Sequence, residues 1–199
     1  MMTIWPPEFS AEGKSITIET THPRHANDLG DAIENGALHK LWYTMIPPAN
    51  AIGEEIDRRL ALRANGSMLP FTIISKATGK AIGMTTYMNI DAANKRLEIG
   101  STWYCKSVQR SSVNTECKLL LLEHAFEQLN CIAVEFRTHI INTQSRQAIE
   151  RLGAKLDGVL RGHMIMENGT IRDTACYSIL ASEWPTVKAH LRWQLAKPR

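Results

Sequence analysis

RLEIGSTWYCKSVQRSSVNTECKLLLLEHAFEQL, residues 96–129, reads as a strand, a polar loop and a helix in succession. Residues 96–105 carry the β-branched and aromatic side chains of a strand that ends in Trp103, Tyr104 and Cys105. From residue 115 the apolar period changes: Leu119, Leu122, Phe126 and Leu129 are spaced by three, four and three residues and share one helical face. The loop between them holds Lys106, Arg110 and small polar residues. A loop that opens a helix presents unpaired backbone N–H groups, and the positive end of the helix dipole makes them a site suited to a pyrophosphate. The same residues also read as a plain connection in which Ser111, Ser112 and Asn114 cap the helix.

Upstream, residues 15–21 set Ile16 and Ile18 among polar neighbours with the period of a strand. Helical stretches at 24–38 and 50–64 follow, separated by the breaker Pro47-Pro48 and by an aromatic-containing loop, 41–46. Residues 71–75 and 80–89 read as strands paired through Ala77-Thr78-Gly79, and 96–105 extends this meander into an antiparallel sheet. Downstream, 132–138 is β-rich, 145–152 is helical up to Gly153, 159–166 and 171–180 form a hairpin about Asn168-Gly169, and 184–195 is a closing helix. No repeat or linker interrupts this order, which predicts a single α/β domain over 1–199.

With 199 residues, 44% apolar and 22% charged, the chain can bury a core without disulfide or metal staples. A formal charge of +3, not gathered into any run, gives no reason to expect nucleic acid as a partner. The longest apolar run, 119–122, is far below the roughly 20 residues of a membrane span, and no basic-then-apolar leader is visible, so no membrane is expected. Cys105, Cys117, Cys131 and Cys176 lie far apart with no Cys-x-x-Cys pair, which fits reduced thiols and a cytoplasmic location. His22 and His25 have metal-like spacing but read as lacking a cysteine or carboxylate partner, so no metal is expected.

The order of elements resembles the GNAT superfamily of N-acetyltransferases, and the loop resembles that family's acetyl-CoA motif, Gln/Arg-x-x-Gly-x-Gly/Ala. Gln109 matches the first position, while Ser112 and Asn114 stand where glycines are usual. QRSSVNTECKLLLLEHAFEQL, 109–129, looks like the RimJ/RimL-type branch, ribosomal-protein-alanine acetyltransferase-like enzymes, and so does NTQSRQAIERLGAKLDGVLRGHMIMENGTIRDTACYSILASEW, 142–184. In the latter, Asn142 and Ser145 match the Asn-x-x-Ser that opens the next helix, and Ala148, Leu152, Gly153 and Ala154 fit the run after it. Arg161, Gly169, Arg172, Asp173 and Tyr177 complete the pattern. The likeness implies the GNAT fold, a mixed, mostly antiparallel, splayed sheet flanked by helices. Its central gap would receive pantetheine, and the acceptor would enter from the other side.

The resemblance further implies direct transfer of acetyl from acetyl-CoA to a primary amine, with coenzyme A as product and no covalent enzyme intermediate. Tyr104, Val108, Gln109, Arg110, Ser111, Ser112, Val113, Asn114 and Thr115, with Asn142 and Ser145, are the expected cofactor contacts. Glu98, in the Glu-Ile-Gly strand, is the expected base, since an alkyl amine is protonated at neutral pH. The plain alternative is a solvent-facing carboxylate. Ser145 is the expected hydrogen-bond or proton donor to the leaving thiolate, although Asn142 and Ser145 also read as a helix cap and first turn. Tyr177 is a second candidate acid or a core aromatic.

Trp42, Tyr43, Trp103, His139 and His163 are expected to line the acceptor pocket, since aromatic faces suit an ammonium; Trp103 and Tyr104 fit sheet packing equally. The branch favours a protein N-terminal α-amine as acceptor, with a polyamine, an amino acid or an aminoglycoside as alternatives, and leaves a homodimer open. Because both motif glycines are replaced, a non-catalytic acyl-CoA-binding regulatory module is the rival from another class.

Overall fold

The computed structural model describes residues 4–197, so the outermost residues of the domain expected over 1–199 lie outside that description. A short strand, β1 (Ala11–Glu12), pairs with β2 (Ile16–Thr20), in which the alternating Ile16 and Ile18 are fully buried. Two residues cannot show a period, which is why β1 has no counterpart in the sequence pattern. Helices α1 (Ala26–Glu34) and α2 (Ile52–Ala64) follow, then the meander β3 (Met68–Ser75), β4 (Ala81–Asp91) and β5 (Arg96–Tyr104). The second half is α3 (Val113–Glu123), β6 (Ala133–His139), α4 (Thr143–Arg151), β7 (Lys155–Ile165), β8 (Ile171–Leu180) and α5 (Trp184–Ala196).

The eight strands form one sheet in the order β1-β2-β3-β4-β5-β6-β8-β7. Successive residues of β4 show how the helices flank it. Thr86 accepts a hydrogen bond from Arg59 of α2 (2.7 Å), whereas Tyr87 donates to the Leu121 carbonyl of α3 (2.6 Å). Neighbouring strand residues point to opposite faces, so α2 and α3 lie on opposite sides of the sheet. On the α3 side, Phe71 stands edge-on to Tyr87 at 5.1 Å and Phe9 stacks on His124 at 3.5 Å.

Every neighbouring pair is antiparallel except β5 and β6, which run parallel and are registered only at Arg96↔Ala133, Leu97↔Val134 and Glu98↔Glu135. β5 then continues to Tyr104 and β6 to His139 without pairing to each other, so the sheet opens beyond Glu98. Within the open half, the β4–β5 register slips by one residue: Met84 faces Trp103 but Thr86 faces Gly100. Ser101 and Thr102 therefore both oppose Thr85, and Ser101 takes φ 47°. This is a β-bulge, a device that re-aims a strand.

Of the boundaries that differ from the sequence pattern, such as α1 ending at Glu34 rather than 38 and β3 starting at Met68 rather than 71, those of α3 and β7 have a plain physical reason. Helix α3 starts at Val113 rather than 115, because the Ser112 carbonyl already accepts from the Glu116 amide (2.9 Å). It ends in a wider π-helical turn, His124–Gln128, with the Leu129 amide reaching back to His124 (3.0 Å). β7 begins at Lys155 rather than 159; it is the exposed edge strand, so no buried face imposes a period on its first residues. His25 does have a carboxylate partner, Glu19 at 2.7 Å, and with His22 it caps the short helix before α1. Among the described residues no helix is long and apolar enough to cross a membrane.

Gly83 is the contact point between β4 and the end of β5, since a Cβ there would overlap the Trp103 carbonyl oxygen and lie 3.0 Å from the Tyr104 Cα. Gly83→Ala should therefore push the strands apart and lower stability by about 1–3 kcal/mol in urea unfolding; a change within about 0.5 kcal/mol would mean the two strands yield freely.

Candidate active site

The loop after β5 is built from its own side chains. The amide of Gln109 donates to the Lys106 carbonyl (3.2 Å), and its Nε2 reaches back to the Tyr104 carbonyl (3.0 Å), clamping the turn. Left-handed backbone falls at Arg110, φ 60°, whereas Ser112 has φ −74° and Asn114 lies inside α3. The two missing glycines are thus not required here: the strain they would have relieved sits two residues earlier, at a cost of about 1–2 kcal/mol. Ser111, rather than Ser112 or Asn114, caps the helix; its Oγ donates to the Val108 carbonyl (2.5 Å) and accepts from the Val113 amide (3.3 Å). The next amides, of Asn114 and Thr115, come before the first intrahelical bond and sit at the positive end of α3. They and Arg110 suit a pyrophosphate, so the loop fits the group the motif implies.

Some of the expected cofactor residues have only backbone to offer a ligand. Val113 and Thr115 turn their side chains into the core, with Thr115 2% exposed. The Tyr104 hydroxyl is buried without a hydrogen-bond partner, and its ring lies against the α3 side beside Cys117. Asn142 caps α4, its Oδ1 accepting from the Ser145 amide (3.0 Å), so that oxygen is committed to the helix. Both residues nevertheless start α4 immediately after β6, at the open end of the gap and across it from α3. Tyr177 is no free acid. Its hydroxyl accepts from Arg146 (2.9 Å) and donates to Glu150 (2.7 Å), making it a buried strut under α4.

Glu98 is the last residue of β5 to pair with β6, and it is buried, which removes the reading of a solvent-facing carboxylate. Its Oε2 accepts from Asn89 Nδ2 (2.7 Å) and lies 3.5 Å from Arg137 Nε. Burial pushes the Glu98 carboxyl above its ordinary pKa, and the Asn89 hydrogen bond and the Arg137 charge pull it back. Gly100, two residues on, leaves room for this carboxyl, since a Cβ there would lie 2.7 Å from Glu98 Oε1. Opposite stands Glu135, held by Arg137 (2.9 Å) and Arg96 (2.5 Å). Arg137 and Asn89 were not among the expected site residues. The alternation Glu135-x-Arg137-x-His139 on one strand face was the available signal.

The acceptor residues partly converge. Trp42 meets His139 edge-on at 5.8 Å and Tyr43 at 5.8 Å. His139 pairs in register with Thr174, whose Oγ1 lies 3.0 Å from His163 Nδ1. Trp42, with Met45 and residues 164–167, also lines a small recess of about 70 Å³. Burial holds His139 below its ordinary pKa, a neutral imidazole at pH 7. Trp103 sits in β5 with its indole N–H buried and unpartnered, which plain sheet packing would leave as a cost.

The cap and any cofactor role of Asn142 separate by substitution. Asn142→Ala should cost about 1 kcal/mol in thermal or urea unfolding, and Asn142→Asp, which keeps the accepting oxygen, should recover most of it. Equal losses in both variants would show that the cap is not what Asn142 supplies.

The family model described as Acetyltransferase (GNAT) domain matches residues 16–155. The chain is 32% identical over 106 residues to a Bacillus subtilis (strain 168) protein provisionally named ribosomal N-acetyltransferase YdaF, a match spanning 53% of this chain and 57% of that one. A crystal structure of a GCN5-related N-acetyltransferase from Brucella melitensis superposes with a TM-score of 0.85 at 31% identity, over 96% of this chain and 87% of its own. Mycobacterium smegmatis RimJ, in complex with CoA-disulfide, shares the fold at 22% identity and a TM-score of 0.79, over 98% and 97% of the two chains. With a family match over most of its length and the same fold in a solved structure, the chain belongs to the GNAT acetyltransferase family.

Proposed function

We propose that the protein is an acetyl-CoA-dependent N-acetyltransferase, with a protein N-terminal α-amine as its acceptor. The observation that carries this reading is the parting of β5 and β6 just beyond Glu98, with the amide-bearing start of α3 on one side and the start of α4 on the other. In this reading the amides of Asn114 and Thr115, with Arg110, hold the diphosphate of acetyl-CoA. Gln109 and Ser111 keep the loop in shape. Asn142 and Ser145 flank the pantetheine arm, and the Ser145 hydroxyl supplies a proton to the departing sulfur.

The acceptor enters from the face that carries Glu98, Trp42, Tyr43, Trp103, His139 and His163. Most of the rate comes from holding amine and thioester in attack geometry. Glu98 receives the amine's proton, directly or through one water, and Arg137 and Asn89 hold its carboxyl in place. A peptide α-amine has a pKa near 8, so a base with a raised carboxyl pKa has little to overcome at neutral pH. The name of the Bacillus relative supports a protein acceptor.

The test is thiol release and product mass with acetyl-CoA and a set of amines: a peptide with a free N-terminus, the same peptide N-terminally blocked, and small amines. The free peptide should be acetylated and the blocked one not. Acetylation of a small amine alone would move the acceptor assignment, and acetyl-CoA binding without transfer to any amine would favour the regulatory module. Glu98→Gln should lower the rate at pH 7 by about 100-fold to 10,000-fold. The deficit should shrink as pH rises, because more of the amine is then already unprotonated; an unchanged rate at pH 7 would remove Glu98 as the base.

A further inference from the structure

Lys118 lies on α3 and is 5% exposed. Its Nζ donates to Thr102 Oγ1 (2.6 Å) and Thr85 Oγ1 (3.2 Å), and those two hydroxyls are 2.8 Å apart. No carboxylate among the described residues acts on it; the one titratable group that bears on it is the adjacent Cys117 thiol. Lysine is rarely buried unless paired, and an ammonium held only by two hydroxyls is costly in a protein interior. A methionine of similar length would fill the same space without that cost.

The place of this charge is informative. Thr85 is the β4 residue opposed by both Ser101 and Thr102, so Lys118 closes over the bulge of β5 from above. Thr102 belongs to the half of β5 that has no β6 partner, which makes it part of the wall of the gap. One side chain thus joins the helix that offers its first amides to the loop with the strand that flanks the opening. The neighbouring titratable groups leave its field uncancelled. Burial raises the Cys117 thiol and the Tyr104 and Tyr87 phenols, and lowers His124 to about 4, so all four are neutral at pH 7. Glu116 turns away to the Ser15 amide (2.9 Å).

We propose that Lys118 is a positioning residue for acetyl transfer: through Thr102 it locks the bulge of β5 and sets a positive potential in the gap wall beside the reacting carbonyl. This rests on the transferase reading. When the amine nitrogen bonds to the carbonyl carbon, the carbonyl π pair moves onto oxygen. The C–S bond then breaks, the carbonyl re-forms, and coenzyme A leaves as thiol with a proton. Lys118 neither gains nor loses a proton; its charge favours the oxygen that becomes negative.

Lys118→Met and Thr102→Val test this, the second removing the link while keeping the charge. Burial lowers the Lys118 pKa to about 8, against about 10.4 in an unfolded chain, so the unfolded state binds the extra proton between those values. The wild type therefore carries the full cost at pH 7 and recovers stability as pH rises from 8 towards 10. Lys118→Met should melt higher than wild type at pH 7, with the gap closing over that range. In turnover, Lys118→Met should lower kcat about tenfold or more while KM for acetyl-CoA moves less than about threefold. Wild-type kcat should fall as pH passes about 8, and the variant should lack that limb. Thr102→Val should lower kcat in the same direction and keep the limb.

A folded Lys118→Met with kcat within about twofold of wild type and the same alkaline limb overturns the proposal. If Lys118→Met does not fold, a Thr102→Val kcat within about twofold of wild type overturns it instead. Wild type inactive towards every amine overturns the transferase reading and this one with it, whereas an active wild type beside unaffected variants overturns this one alone.

Discussion

Two parallel strands that pair for only three residues and then separate are the constraint on which the rest of the molecule depends. β5 and β6 meet at Arg96, Leu97 and Glu98 and nowhere beyond. At the last rung Glu98 faces Glu135, and two like charges side by side would push a sheet apart. Arg137, 3.5 Å from Glu98 and 2.9 Å from Glu135, lies between them, and Arg96 holds Glu135 from the other side. The end of the pairing is therefore also where Arg96, Glu98, Glu135 and Arg137 form one charge cluster. The residue assigned as base sits there because that is where backbone pairing stops and side chains take over.

Everything else in the site is arranged around that opening. The bulge at Ser101 turns the half of β5 that has no β6 partner, and the loop after it carries its strain at Arg110 rather than at the motif's glycine positions. Gln109 and Ser111 spend their side chains on the loop's own backbone. Substitution of both glycines is thereby compatible with a working anion loop, because what such a loop needs is free amides at a helix start rather than glycine itself. Across the gap, β6 delivers His139, Asn142 and Ser145 within a few residues of one another. Trp42 folds over the same end from the loop between α1 and α2.

Buried polar groups mark out this region from the ordinary core. The α2–β4 contact of Arg59, Glu55 and Thr86 is fully satisfied and holds the fold. Near the gap the pattern changes: Lys118 has hydroxyls but no anion, and the Trp103 indole N–H has no partner. Tyr104 and Arg137 beside the gap also hold buried polar atoms without a partner, as do His39 and Arg63 elsewhere, and a buried polar group left short of partners is one trace of a place where a ligand completes the network.

The sequence alone determined the order of elements, because apolar periods of two and of 3.6 are imposed by burial on one face and survive in any one-dimensional reading. It also determined the loop-to-helix hand-over after β5 and the identity of Glu98, Asn142 and Ser145 as the polar residues flanking it. It overlooked β1, the early start of β7, and the tie between Glu19 and His25, since an edge strand or a two-residue strand has no buried face to write a pattern. Only the tertiary structure decided that Glu98 is buried against Asn89 and Arg137, that Tyr177 is a strut, that Arg110 takes the left-handed turn, and that Lys118 closes over the bulge. These depend on which strands lie side by side and where their register slips. Such contacts join residues as far apart as 85, 102 and 118, and no local period records them.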